Sequence, residues 1–147
     1  MQIIIPPYLL IFSIIAMVIL HILLPFQSVF NSPINYTGIF CIVVGVAIVK
    51  KIRDNISTEN TEIHTFKLPR KFLTGGLFQY SRNPIYLGFT IILLGLNILL
   101  GSLSPFIIVI AFVLITNFWY IPYEEKNMLK QFDQEYKNYK KKVRRWI

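Results

Sequence analysis

The chain has 147 residues, 54% of them hydrophobic, and a net charge of +8. All fifteen Lys and Arg and all seven Asp and Glu fall within residues 50–82 and 124–145, leaving long uncharged stretches elsewhere. That partition excludes an ordinary soluble domain, in which charge is spread over the surface. The lone Cys41, inside an apolar run, excludes an intrachain disulfide, and no zinc-ligand spacing is present.

Uncharged runs of roughly 17–25 residues suit a bilayer core of about 30 Å. Four are read here as spans: residues 3–24, 33–49, 84–100 and 103–123. The first lacks the basic start and small-residue cleavage site of a signal peptide and is taken as a retained span. Asn31, Ser32 and Asn35 mark the start of the second. Gly101 and Ser102 leave so short a connection that the last two spans must form an antiparallel hairpin. The expected architecture is therefore an all-α, polytopic membrane helical bundle forming one domain. It has about four transmembrane helices plus a C-terminal amphipathic interfacial helix.

Charge sets the expected topology. The connection 50–83 carries seven Lys and Arg, the tail 124–147 carries eight, and the other two connections carry none. The positive-inside rule then places both basic segments, and both termini, in the cytoplasm. The expected location is a bacterial or archaeal plasma membrane. With basic charge beside apolar spans, the expected partners are the lipid bilayer and its anionic head groups, and no nucleic acid.

In the tail, Leu129, Phe132, Tyr136, Tyr139, Val143 and Trp146 recur at spacings of 3, 4, 3, 4 and 3, one apolar stripe along a helix. Lys130, Lys137, Lys140, Lys141, Arg144 and Arg145 fill much of the remainder. Such a helix suits the lipid interface; the plainer reading packs it on the basic loop with its charges solvated.

The candidate chemistry lies where the basic loop enters the third span, at Arg82-Asn83-Pro84-Ile85-Tyr86-Leu87-Gly88. Asn83 suits the cap position and Pro84 the first helical turn. A helix start with a guanidinium beside it favours an anionic group. The hairpin partner ends at the same membrane face with Glu124-Glu125, and paired carboxylates facing lipid are costly. At 100° per residue Asn117, Tyr120 or Ile121, and Glu124 share one face, as do Tyr86 and Asn97 on the third span. If those faces meet, Arg82, Asn83, Tyr86 and Glu124 surround one cleft, with Pro122 loosening the helix so that Glu125 also contributes. Such a cleft suits a zwitterion bearing an extra positive centre. S-adenosylmethionine fits that description, as do other zwitterions.

The run Thr74-Gly75-Gly76-Leu77-Phe78-Gln79-Tyr80-Ser81-Arg82-Asn83-Pro84-Ile85-Tyr86-Leu87-Gly88, with the later Glu124-Glu125 pair, resembles the signature of the isoprenylcysteine carboxyl methyltransferase and phospholipid methyltransferase families. The likeness continues through Phe132-Asp133-Gln134-Glu135-Tyr136-Lys137-Asn138-Tyr139 and covers roughly residues 73–147. It implies an integral membrane methyltransferase that binds S-adenosyl-L-methionine at the cytoplasmic face and takes a lipophilic methyl acceptor, a carboxylate or an amine, from the lipid. It assigns Arg82, Asn83, Tyr86, Gly88, Glu124 and Glu125 to the cofactor and Arg82 and Glu124 to catalysis, with no metal. Three positions depart from the pattern. Asn83 replaces the commoner histidine, Tyr120 stands where the carboxyl methyltransferases often have Arg, and Asp133 stands where glycine is usual.

A related run in membrane sterol reductases has Glu where this chain has Phe89, which weakens an NADPH-dependent reading. A small membrane scaffold subunit would account for the spans but not for the convergence of Arg82, Tyr86 and the Glu pair. Phe78 and Tyr80 are candidates to stack on an adenine or to sit at the interface. His64 is expected at the solvated surface and His21 in packing. Phe106, Phe112, Phe118 and Trp119 are expected in the core or against lipid.

Overall fold

A computed structural model describes residues 6–24, 29–58 and 72–147. His64, the first residues of the first span and part of the basic loop lie outside the described residues. The described chain is all α: α1 (Pro6–Leu23), α2 (Thr37–Thr58), α3 (Pro84–Leu100), α4 (Phe106–Ile115) and α5 (Ile121–Lys142). A five-residue π-helical segment, Thr116–Tyr120, joins α4 to α5 without a break. α1, α2 with its preceding turn, and the joined helix from Phe106 are each long and apolar enough to cross a membrane; α3, at 17 residues, is shorter.

Two helices outrun their expected spans. α2 begins at Thr37, after a 3-10 turn at Ile34–Tyr36, and continues past residue 49 to Thr58. The extension is charged, but Ile52 and Ile56, one turn apart, are buried and give it an inner face. The fourth span begins at Phe106 rather than 103, since residues 103–105 form a turn. It then runs on into the tail. Gly101, in the left-handed conformation at φ 76°, ends α3, and its carbonyl accepts hydrogen bonds from the amides of Val29 and Phe30. At the same end the ring of His21 shares a 2.7 Å hydrogen bond with the hydroxyl of Ser102.

α3 is the hub. It packs closely along α2, and its other side meets α1 and α4 in a core of Met17, Tyr86, Phe89, Leu93, Val109, Phe112, Tyr120 and Ile121. Phe112 is therefore core, whereas Phe106, Phe118 and Trp119 are exposed on the outer surface. The α2–α3 contact depends on two glycine pairs, Gly38 with Gly95 and Gly45 with Gly88, seven residues apart on each antiparallel helix. A Cβ at Gly45 would stand 2.7 Å from the Gly88 carbonyl oxygen, and one at Gly95 2.6 Å from that of Gly38. Small residues let helix backbones approach closely where hydrocarbon provides no hydrophobic drive. α1, by contrast, rests on α3 and α4 and has little contact with α2.

The tail turns back on the bundle. α5 bends at Asp133, whose φ of 25° and ψ of −102° are not helical. In a straight helix, residues 125 and 140 would stand roughly 22 Å apart; here their side chains are bonded at 3.0 Å. Tyr136 and Tyr139 are buried, and Phe72 from the loop stacks on Phe132 and meets both tyrosines edge-on. The apolar stripe predicted for the tail is thus used in part on the chain's own loop, while Lys137, Lys141 and Lys142 stay exposed.

Two stability measurements in detergent test this architecture. Gly45→Val should destabilise by about 1–3 kcal/mol through overpacking, whereas Gly75→Ala, with nothing within 4 Å of the added carbon, should change little. Asp133→Gly should stabilise: relieving a positive φ is worth about 1–3 kcal/mol. That exceeds the exposed Asp133–Lys137 ion pair it removes, which contributes about 0.3–0.5 kcal/mol. A lowered midpoint for Asp133→Gly would contradict the bend.

Candidate active site

The site forms where α3 starts, α5 starts and the tail ends. Asn83 stands at the cap position of α3 but makes no side-chain cap bond there, contrary to the sequence expectation. Its Nδ2 instead donates to the Arg145 carbonyl at 3.0 Å, and its amide donates to the Ser81 hydroxyl. The Arg82 amide donates to the Arg144 carbonyl at 3.0 Å. Main-chain oxygens of the returning tail therefore occupy donors that the sequence leaves free for a ligand.

Glu125 is 6% exposed and organises the charges. Its Oε2 accepts from Lys140 Nζ at 3.0 Å and from Arg145 Nη2 at 3.3 Å, and Arg82 Nη2 approaches Oε1 at 3.2 Å without hydrogen-bond alignment. Burial pushes its carboxyl up, but the Lys140 hydrogen bond, the Arg82 charge and Arg145 outweigh it and hold the group below its ordinary value of 4.5. Three cations surround this one carboxylate, a local surplus of two positive charges (three minus one). Arg82 keeps two donors, Nε and Nη1, buried without a hydrogen-bond partner among the described residues. Buried guanidinium donors left open are costly and suit an anionic group.

Glu124 takes a separate partner: Tyr86 Oη donates to its Oε1 at 2.8 Å. The Tyr120 ring lies 6.3 Å from that of Tyr86. Both contacts accord with the shared faces read from the sequence. Asn117 does not. It turns to the tail, where its Oδ1 accepts from Arg145 Nη1 and Trp146 Nε1 and its carbonyl from Arg145. The π turn explains this, because an extra residue per turn shifts the later side chains by roughly 100° and frees main-chain oxygens just before Pro122. Asn97, buried, lies at the opposite end of α3, far from Asn117. Sequence reasoning missed Lys140, Arg145 and Trp146 as neighbours of the site, since nothing in the tail's spacing signalled its reversal, and it turned Asn117 toward α3 rather than toward the tail.

Arg82, Asn83, Tyr86 and Glu124 line one cavity of about 880 Å³. Its walls also include Leu10 and Ile11 of α1, Val46, Val49, Lys50 and Arg53 of α2, and Phe89 and Ile92 of α3. Ile11 and Val46 line it and are each half exposed on the outer surface, so it opens sideways between α1 and α2. Gly88 lies against Val49 and Ile48 of α2 rather than on the cavity wall. Phe78 lines the cavity, and its carbonyl accepts from Tyr139 Oη at 2.6 Å; Tyr80 is exposed. Burial pushes the Tyr139 phenol up to about 12 against the Arg82 charge, so it stays a neutral donor.

A match to phospholipid methyltransferase runs over residues 34–135. An uncharacterized protein of Haemophilus influenzae is 40% identical over 63 residues, 43% of this chain and all of that one. No solved structure matches.

Removing one partner of a buried ion pair costs about 3–5 kcal/mol, so Glu125→Ala should greatly exceed Lys137→Ala, which loses only an exposed pair. A depressed folded value means that the Glu125 contribution is complete above pH 4.5 and is lost as pH falls below that value through the lowered one. In a Trp119→Phe background, Trp146 fluorescence should report the tail leaving as pH is lowered from 7 to below 4.5. A flat signal over that range would show that the carboxylate does not hold the tail.

Proposed function

Because this chain belongs to the phospholipid methyltransferase family, we propose that it uses S-adenosylmethionine to methylate a lipophilic acceptor at the cytoplasmic side of the membrane, the side to which the positive-inside rule assigns its two basic segments. The observation that carries this reading is the open pair of Arg82 donors, Nε and Nη1, beside the surplus of positive charge around Glu125. The cavity they border suits a cofactor-sized molecule, within the usual range of about 300–1,000 Å³ for ligand pockets.

In this reading Arg82 would hold the carboxylate of the cofactor, and Glu124, on the cavity wall, would supply negative charge for its ammonium or sulfonium centre. The bound cofactor supplies an activated methyl group. Tyr86 fixes the Glu124 carboxylate on the cavity wall through its 2.8 Å hydrogen bond. Where the acceptor is an amine, the Glu124 carboxylate would take the proton released on methylation; where it is a carboxylate, no base is needed. The apolar walls from α1, α2 and α3 exclude water and orient the two reactants. Asn83, Ser81 and Arg145 act on the site by holding the tail over the start of α3.

Calorimetry on the detergent-solubilised protein tests the assignment. S-adenosylmethionine and S-adenosylhomocysteine should bind and NADPH should not. Arg82→Ala should abolish binding, Arg82→Lys should weaken it, and Glu124→Gln should reduce methyl transfer more than binding. Wild-type binding retained in Arg82→Ala would refute the site.

A further inference from the structure

We propose that the inner face of α2 carries a second anion subsite, formed by Lys50 and Arg53, for the head group of an amphiphile whose apolar tail lies between α1 and α2. This rests on the methyl-transfer reading only in naming that amphiphile as the acceptor. Val46, Val49, Lys50, Arg53 and Ser57 recur at spacings of 3, 1, 3 and 4 along α2, and all five line the cavity. They therefore share one helix face. Lys51, the neighbouring cation, is not on that wall.

Along this face the chemistry changes within one residue. Val46 and Val49, opposite Leu10 and Ile11 and beside Ile92, are hydrocarbon; from Lys50 onward the wall is charged. The sideways opening lies beside the hydrocarbon half, at Ile11 and Val46. A molecule entering there along α2 meets apolar wall first and cations next, the order of an amphiphile lying in one leaflet.

The sign of the head group follows from the charges. α2 contributes Lys50 and Arg53 against Asp54, a balance of one positive charge (two minus one) on that part of the wall. Among the described residues neither Lys50 nor Arg53 makes an ion pair, whereas Arg82, Lys140 and Arg145 all engage Glu125. Cations facing a shared cavity without a carboxylate partner select an anionic group such as a phosphate or carboxylate. The subsite is distinct from Arg82: it comes from another helix, whose charged end outruns the bilayer-spanning run.

Thermal unfolding of the detergent-solubilised full chain tests this, with dodecyl phosphate, dodecanol and inorganic phosphate as probes. Dodecyl phosphate should raise the midpoint, and the other two should not. Lys50→Gln/Arg53→Gln should move the half-maximal dodecyl phosphate concentration at least about tenfold upward, as should Val46→Trp, which fills the apolar half without altering charge. Lys51→Gln/Lys141→Gln, equal in charge change but outside the cavity, should respond like wild type. An unchanged dose in the first variant overturns the subsite. Equal stabilisation by inorganic phosphate overturns the amphiphile as its source, and equal stabilisation by dodecanol overturns the role of charge. S-adenosylmethionine binding measured on the same wild-type sample separates the two readings: its absence ends the methyl-transfer assignment and leaves the amphiphile subsite standing.

Discussion

One buried carboxylate ties three distant parts of the chain together. Glu125 sits at the start of α5, and its cations come from the loop before α3 and from the returning tail. A lone carboxylate at 6% exposure would be strongly disfavoured, and so would an unpaired guanidinium on the largely covered Arg82 side chain. Each tolerates burial because the other is near. Lys140 and Arg145 then tip the cluster to net positive, which makes its natural complement an anion. The geometry thus serves structure and binding through the same atoms. It also explains why the two adjacent glutamates differ: Glu125 is committed to the fold, and Glu124, held by a neutral phenol, is left closer to the cavity.

The cavity exists because the helices pack unequally. Glycine pairs draw α2 and α3 into backbone contact, so that these two helices form one rigid wall. α1 has no such seam with α2, and the gap between them is the sideways opening. Gly88 belongs to this division of labour. It lies two residues beyond Tyr86, about half a turn round α3, and its packing on Val49 sets how close the charged end of α2 comes to the start of α3.

Much of this was legible in the residues, for identifiable reasons. The confinement of charge to two segments marked the membrane spans, since ionised side chains in hydrocarbon are costly. Tyr86 and Glu124 could be brought together by projecting two ordinary helices joined by a short turn. The same projection failed for Asn117, because it assumed a constant rise and rotation across the π segment, and a π turn has no strong signature beyond the nearby Pro122. The tail's reversal was hidden because its apolar spacing continues unbroken through Asp133; the clue was a single residue, Asp133, standing where glycine is usual. Gly38, Gly45, Gly88 and Gly95, paired at equal intervals, were a readable sign of close helix contact that composition alone does not weigh.

The closure over the start of α3 is made largely by the peptide oxygens of residues 144 and 145. Every amino acid carries such an oxygen. A grip of this kind constrains the path of the backbone and leaves its spelling free, so these residues can hold the motif in place while leaving little trace in residue identity. The family match ends at residue 135, before these oxygens begin.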